Sequence, residues 1–268
     1  MTTAQKIIKY LAIAFAIFLI VTIISTIVGV VFGVASVLNL KKDEKQEETK
    51  NITLEENSIY LDIDLKYTNL ILKTGENFVA ETNNSNVECK QNGNKLVIKE
   101  TGNKWFSKNN NRELTVYIPM DLEFEKVQIN TGAGNVNIES IIAEKIKLDL
   151  GAGNTRIQNI ISKNTNINAG VGNLIIEEGE INNLNLDSGV GKVQVTAKIT
   201  GESKISTGVG NLELNLLGEK EDYKFKVNKG IGEVKIGEQN AKDNEVIGDG
   251  ENFISINGGV GEIKVNIK

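Results

Sequence analysis

The chain has 268 residues, with 30 Lys and Arg against 35 Asp and Glu, a net charge of −5, and no histidine. The missing imidazole excludes serine–histidine and cysteine–histidine catalysis and histidine metal ligation. Only two arginines, Arg112 and Arg156, are present, and an acidic surface this poor in arginine is unsuited to nucleic acid.

Residues 1–10 form a short flank carrying Lys6 and Lys9. From Leu11 to Leu38 no charge occurs, and Leu, Ile, Val, Phe and Ala dominate. As a helix these residues would extend about 42 Å, more than a hydrocarbon core of about 30 Å. The apolar run is longer than the core of a secretory signal, so 11–38 is expected to be an uncleaved transmembrane anchor. Lys41, Lys42 and Lys45 follow it, so lysine counting does not favour a cytoplasmic N-terminus, although a long following domain can translocate regardless. Ser25, Gly29 and Gly33 share a helix face, and Gly29 with Gly33 makes a GxxxG that lets two helix backbones approach. These two glycines are the candidate transmembrane association site, and through them the membrane helix could form a homodimer. Residues 39–57 are polar and charged, which predicts a solvated linker.

Residues 58–126 are strand-rich. Leu61-Asp-Ile-Asp-Leu65 alternates strictly, Leu70-Ile-Leu72 and Leu96-Val-Ile98 follow, and Leu114-Thr-Val-Tyr-Ile118 ends at Pro119, the only proline. This region reads as irregular first coils and a cap. Trp105 and Phe106 sit in a basic, Asn-rich segment and are the candidate partner contact; the alternative is that Trp105 covers the open end of the core. Cys89, the only cysteine, can form no internal disulfide and reads as a half-buried strand position.

Residues 127–268 repeat one phrase seven times, its first glycine falling at Gly132, Gly151, Gly170, Gly189, Gly208, Gly230 and Gly259. Steps of 19, 19, 19, 19, 22 and 29 residues are too short for two helices and mark stacked β coils. Each coil should hold two short strands separated by a bend, near Glu139-Ser140 in the first. Leu148 and its equivalents Ile129, Ile167, Leu186, Ile205, Val227 and Ile256 predict one core column. Val136, Thr155, Leu174, Val193, Leu212, Val234 and Ile263 predict a second, with one polar break. The glycines read as a corner that needs positive φ or a side-chain-free approach of two backbones. A phosphate loop would need one copy followed by a helix. A polar residue precedes every phrase (Asn130, Asp149, Asn168, Asp187, Ser206, Asn228 and Asn257), as expected of a stacked polar ladder. Gly237 to Glu251 lengthens one coil and reads as a flexible acidic loop without ordered calcium-ligand spacing.

The stretch Leu114-Thr-Val-Tyr-Ile-Pro119, then Val127-Gln-Ile-Asn-Thr-Gly-Ala-Gly, then the repeated Gly-x-Gly phrases ending in Phe253-Ile-Ser-Ile-Asn-Gly-Gly-Val-Gly-Glu-Ile-Lys, resembles the putative-adhesin family of β-strand-repeat proteins over about residues 58–268. The resemblance implies a bacterial envelope protein with an N-terminal membrane segment and no defined catalytic set. Some members resemble accessory proteins of envelope-stress systems.

The expected fold is all-β, an elongated two-sheet β-solenoid or β-helix-like repeat domain preceded by one N-terminal transmembrane helix. The expected function is a non-enzymatic adhesion or binding module on the cell surface, single-pass in the membrane with its C-terminal domain outside. Expected partners are the membrane and the cell wall or another envelope protein, not nucleic acid; no cofactor, metal or catalytic residue is expected. An accessory regulator of an envelope-stress system is the alternative. A glycan-processing enzyme using carboxylates such as Glu177, Glu178 and Glu180 comes third, because no aromatic residue occurs from Lys126 to Asp222 to stack a sugar.

Overall fold

The computed structural model describes the backbone of residues 50–53 and, in full, residues 59–102, 111–120 and 122–268. The expected anchor at 11–38, with Gly29 and Gly33, and the pair Trp105 and Phe106 lie outside the described residues. Among the described residues no helix is long and apolar enough to cross a membrane.

Strands in the N-terminal part are β1 (Lys50–Thr53), β2 (Tyr60–Leu65), β3 (Asn69–Gly75), β4 (Val79–Thr82), β5 (Val87–Asn92), β6 (Lys95–Glu100) and β7 (Glu113–Pro119). The repeats contribute β8 (Phe124–Ala133), β9 (Val136–Ala152), β10 (Thr155–Val171), β11 (Leu174–Asn182), β12 (Leu184–Thr200) and β13 (Glu202–Leu216). The C-terminal part adds β14 (Tyr223–Asn228), β15 (Val234–Ile236), β16 (Gln239–Asn240), β17 (Glu245–Ile247), β18 (Asn252–Asn257) and β19 (Ile263–Ile267). All join one mixed, mostly parallel sheet, making this an all-β repeat domain.

The expected pair of short strands per repeat is instead one continuous strand in β9 and β10, each 17 residues long. Its first half and its second half pair with corresponding halves of the neighbouring repeat, Ile157 with Ile138 and Ile167 with Leu148. Because β9 and β10 bend at the same register, the parallel hydrogen-bond ladder between them survives the bend, whereas β11 shifts register against β12. Two stacks of side chains result. One runs through Leu72, Ile138, Ile157, Ile176, Val195, Leu214, Val265 and Ile236, and the other through Ile63, Ile129, Leu148, Ile167, Leu186, Ile205, Ile256 and Val227. Every member of both stacks is buried within a single apolar core. The alternation of aliphatic and polar residues places these side chains inside, as the pleat requires. Thr155 is the one polar residue of its column and is 5% exposed.

At both ends the order in space departs from the order in sequence. The repeat of β18 and β19 inserts between β13 and the repeat of β14 and β15. At the other end, β2 and β3 lie between the outermost strands β6 and β7 and the repeats that begin with β8 and β9. Antiparallel strands then close the exposed edges: β5 on β6, β4 on β7, β17 on β14 and β16 on β15. An open parallel edge is a template for another chain, and closing it blocks that pairing. The segment 237–251, expected to be a flexible loop, supplies two of these closing strands. Likewise, residues 50–53 of the expected linker form β1, which adds to the edge of β4.

Candidate binding face at the glycine corner

Each phrase turns the chain from one half of a repeat to the next, and there the backbones of successive repeats touch. A Cβ on Gly172 would lie 1.8 Å from the Gly153 carbonyl oxygen, and one on Gly191 1.7 Å from that of Gly172. Both residues also have positive φ, 138° and 146°. The first glycine of each phrase is nearly as confined, with a Cβ on Gly151 placed 2.0 Å from the Gly132 oxygen. Backbone contact therefore accounts for both glycine columns.

The residue between the two glycines points outward. In spatial order these residues are Ala133, Ala152, Val171, Val190, Val209, Val260 and Ile231, paired repeat by repeat. Tyr67 holds the equivalent place beyond Ala133, because Lys66 and Thr68 stand where later repeats have glycine. Tyr67, Val171 and Ile231 are 42%, 37% and 56% exposed. The row is an apolar ridge with bare glycine on both sides. Beside it runs an open groove of about 790 Å³, lined by the first glycines and by Leu65, Thr131, Leu150, Ala169 and Ser188.

Polar rows flank this face. On the groove side Asp64, Asn130, Asp149, Asn168 and Asp187 alternate acid and amide along the wall. The Asn168 amide donates to Asp149 at 2.5 Å, and that of Asn228 to Asn257 at 2.6 Å. Burial pushes the Asp149 carboxyl up, but hydrogen bonds from Lys147 and Asn168 and the Lys147 charge hold it below its ordinary value. On the ridge side the residue after the second glycine forms a ladder that the sequence reading did not single out. Asn69 Oδ1 accepts the backbone N–H of Asn135 at 2.8 Å, and Asn135 Oδ1 accepts that of Asn154 at 3.0 Å. Asn173 and Asn211 receive the N–H of Lys192 and Glu262 in the same way. The signal was the recurrence of Asn directly after Gly-x-Gly.

Near the Asn69 end of the stack lies a buried carboxylate. Glu100 accepts the backbone N–H groups of Lys66 at 2.8 Å and Tyr67 at 2.9 Å and the Asn84 amide at 2.9 Å, and Arg112 lies 3.5 Å away. Burial raises its pKa, but hydrogen bonds from Tyr67, Lys66, Thr68 and Asn84 outweigh that, leaving it lowered.

The other sequence candidates fall elsewhere. Glu177 pairs with Arg156 at 2.7 Å, Glu178 is exposed, and Glu180 lines a second groove at the opposite bend, beside Ile161 and Lys163. In the segment 237–251, Asp243 accepts the backbone N–H of Lys229 and Glu245 that of Lys242. Cys89 is half-buried in β5, and burial pushes its thiol up to about 11. Among the described residues no group of three or more Cys, Asp or Glu could hold a metal ion.

Several solved structures are similar to this chain. A putative cell adhesion protein from Clostridium sporogenes is 15% identical, with 82% of this chain and 99% of that chain covered and a TM-score of 0.36. A putative adhesin from Bacteroides fragilis is 17% identical, with coverage of 83% and 98% and a TM-score of 0.42. Another from Parabacteroides distasonis is 13% identical, with coverage of 81% and 96% and a TM-score of 0.39. No curated protein matches. The Toastrack DUF4097 family model matches residues 60–246, most of the chain, and the chain belongs to that family.

Proposed function

We propose that this chain is a non-enzymatic binding module of the bacterial envelope, held by a membrane anchor at 11–38 and displaying an elongated two-sheet β-solenoid at the cell surface. The observation that carries this reading is the corner face, where a ridge, a groove and two polar rows repeat at one spacing over successive repeats. A face of this kind suits a long or repetitive partner, such as wall polymer or another extended surface protein, better than a single small molecule. Contact is distributed, so affinity grows with the number of repeats engaged.

Protease treatment of intact cells making the full chain tests the address: the domain should be degraded before lysis. Cells making it should also retain wall fragments that cells lacking it do not. A domain protected until lysis, or equal retention by both strains, ends the reading. Co-purification of a membrane protein that depends on residues 1–45, without wall binding, would instead support an accessory role in an envelope-stress system.

A further inference from the structure

The apolar ridge at the glycine corner has no partner within the fold. Tyr67, Ala133, Ala152, Val171 and Ile231 are exposed and Val190, Val209 and Val260 half-buried along one apolar row, and an apolar row at the surface is a pattern that marks contact sites. The groove lies alongside the ridge from Tyr67 to Val190, and both follow the stacking direction. A ridge beside a parallel groove is complementary to a second copy of itself. Half a turn about an axis along the stack brings the ridge of each copy into the groove of the other, an isologous contact.

The same rotation faces the polar row before the phrase with the row after it on the second copy. Asp187 then meets Lys192, a pairing that occurs twice across the contact, and Asn228 meets Glu233. Asp64 and Asp149 meet the neutral Asn69 and Asn154. Lys192 is free to turn outward, since its contact to Glu213 within the chain is a loose, exposed one at 4.0 Å. An antiparallel arrangement would set ridge on ridge and lose the Asp187–Lys192 pairing. We propose that this face pairs two copies of the chain side by side, with their stacks parallel.

Four steps of about 4.8 Å make the part of the ridge beside the groove about 19 Å long. With a width of roughly 15 Å this contact covers ~300 Å² per copy, well below the ~800 Å² of a standard specific interface. A contact this small needs copies held together in one membrane, which raises their effective concentration; to that extent the pairing rests on the anchored reading given above, with a second copy of the chain as the extended surface protein that occupies this face. Parallel stacks are also what two copies entering from one membrane would present.

The test uses the full chain with Cys89→Ser, reconstituted in phosphatidylcholine vesicles and treated with a short bismaleimide. Val190→Cys, on the ridge, should cross-link to its own counterpart on the order of tenfold faster than Ile161→Cys, a control at the opposite bend that is the more exposed of the two. Asp187→Lys should slow the Val190→Cys reaction by like-charge repulsion, and Asp187→Lys with Lys192→Asp should restore it. Equal rates at positions 190 and 161, no restoration by the charge swap, or faster linkage in a mixture of Val171→Cys and Val190→Cys chains would each overturn the parallel pairing. Flotation of the same vesicles separates the two readings. Chains that float without cross-linking refute the pairing alone; chains that do not float refute the anchor, and the pairing with it.

Discussion

The carboxylate of Glu100 accepts the backbone N–H of Tyr67 at 2.9 Å, at the place where every later repeat is met by the backbone of its neighbour. Ala133, one repeat further in, sends the equivalent N–H to the Lys66 carbonyl. The outermost repeat pairs with β2 only as far as Lys99 opposite Asp64. A side chain therefore takes over from the missing strand and satisfies a partly buried backbone donor.

Replacing Glu100 with Gln should destabilise the domain by about 3 kcal/mol, because Arg112 loses its buried counter-charge. The Glu100 pKa is lowered in the fold, so its contribution is present above the unfolded-state value and is lost as pH falls through the folded value. Urea unfolding of the native protein should show this loss below the ordinary carboxylate range, and the Gln variant should lack that component. Identical pH profiles would refute the role.

Glycine columns make a graded prediction. Gly172→Ala and Gly191→Ala place a methyl within van der Waals exclusion of a carbonyl and require positive φ, so each should lower stability by more than about 4 kcal/mol or prevent folding. Gly237 has φ of 57° but nothing within 4 Å of an added Cβ, so Gly237→Ala should lose only about 1 kcal/mol. Thermal melts of Gly237→Ala beside expression yields of the other two decide it.

In the asparagine ladder, Asn135→Ala removes the acceptor for the Asn154 N–H and should destabilise by about 1 kcal/mol. Asn135→Asp keeps an acceptor and should recover most of it. Chemical denaturation of both variants is the check; equal losses would show that the bond contributes nothing.

Ser162 and Thr165 bond to each other inside the core. Thr165→Val alone orphans a buried hydroxyl and should be destabilising by about 2 kcal/mol, whereas Ser162→Ala with Thr165→Val should be nearly neutral. A double-mutant cycle with no coupling would contradict this.

Replacing residues 238–248 with a Gly-Ser linker removes β16 and β17 and bares the edges of β14 and β15. Self-association should follow, read as a rise in light scattering at constant secondary structure. A variant that stays monodisperse would show that those strands do not protect the edge.

Much of the architecture was legible in the chain because its determinants are local and periodic. Leu148 and its six equivalents announce a column, since one repeat's inward position is every repeat's inward position. Paired glycines announce a corner, since only backbone contact demands their recurrence. What escaped were relationships joining distant residues: Glu100 with Tyr67, and Asn211 with Glu262 some fifty residues on. The ridge residues were in plain view between the glycines, but their exposure depends on which way the corner turns.

Sequence alone determined the nineteen-residue step, the aliphatic columns and the glycine corner, because in-register stacking repeats each local choice and shifts of one residue would turn every buried side chain outward. Tertiary structure decided how the stack stops. Near its ends the period lapses, and β18 with β19 pairs with β13 ahead of the repeat that precedes it in sequence. Which strand fills an edge there depends on long-range pairing and on which backbone groups would be left unsatisfied, and neither is written in any single repeat.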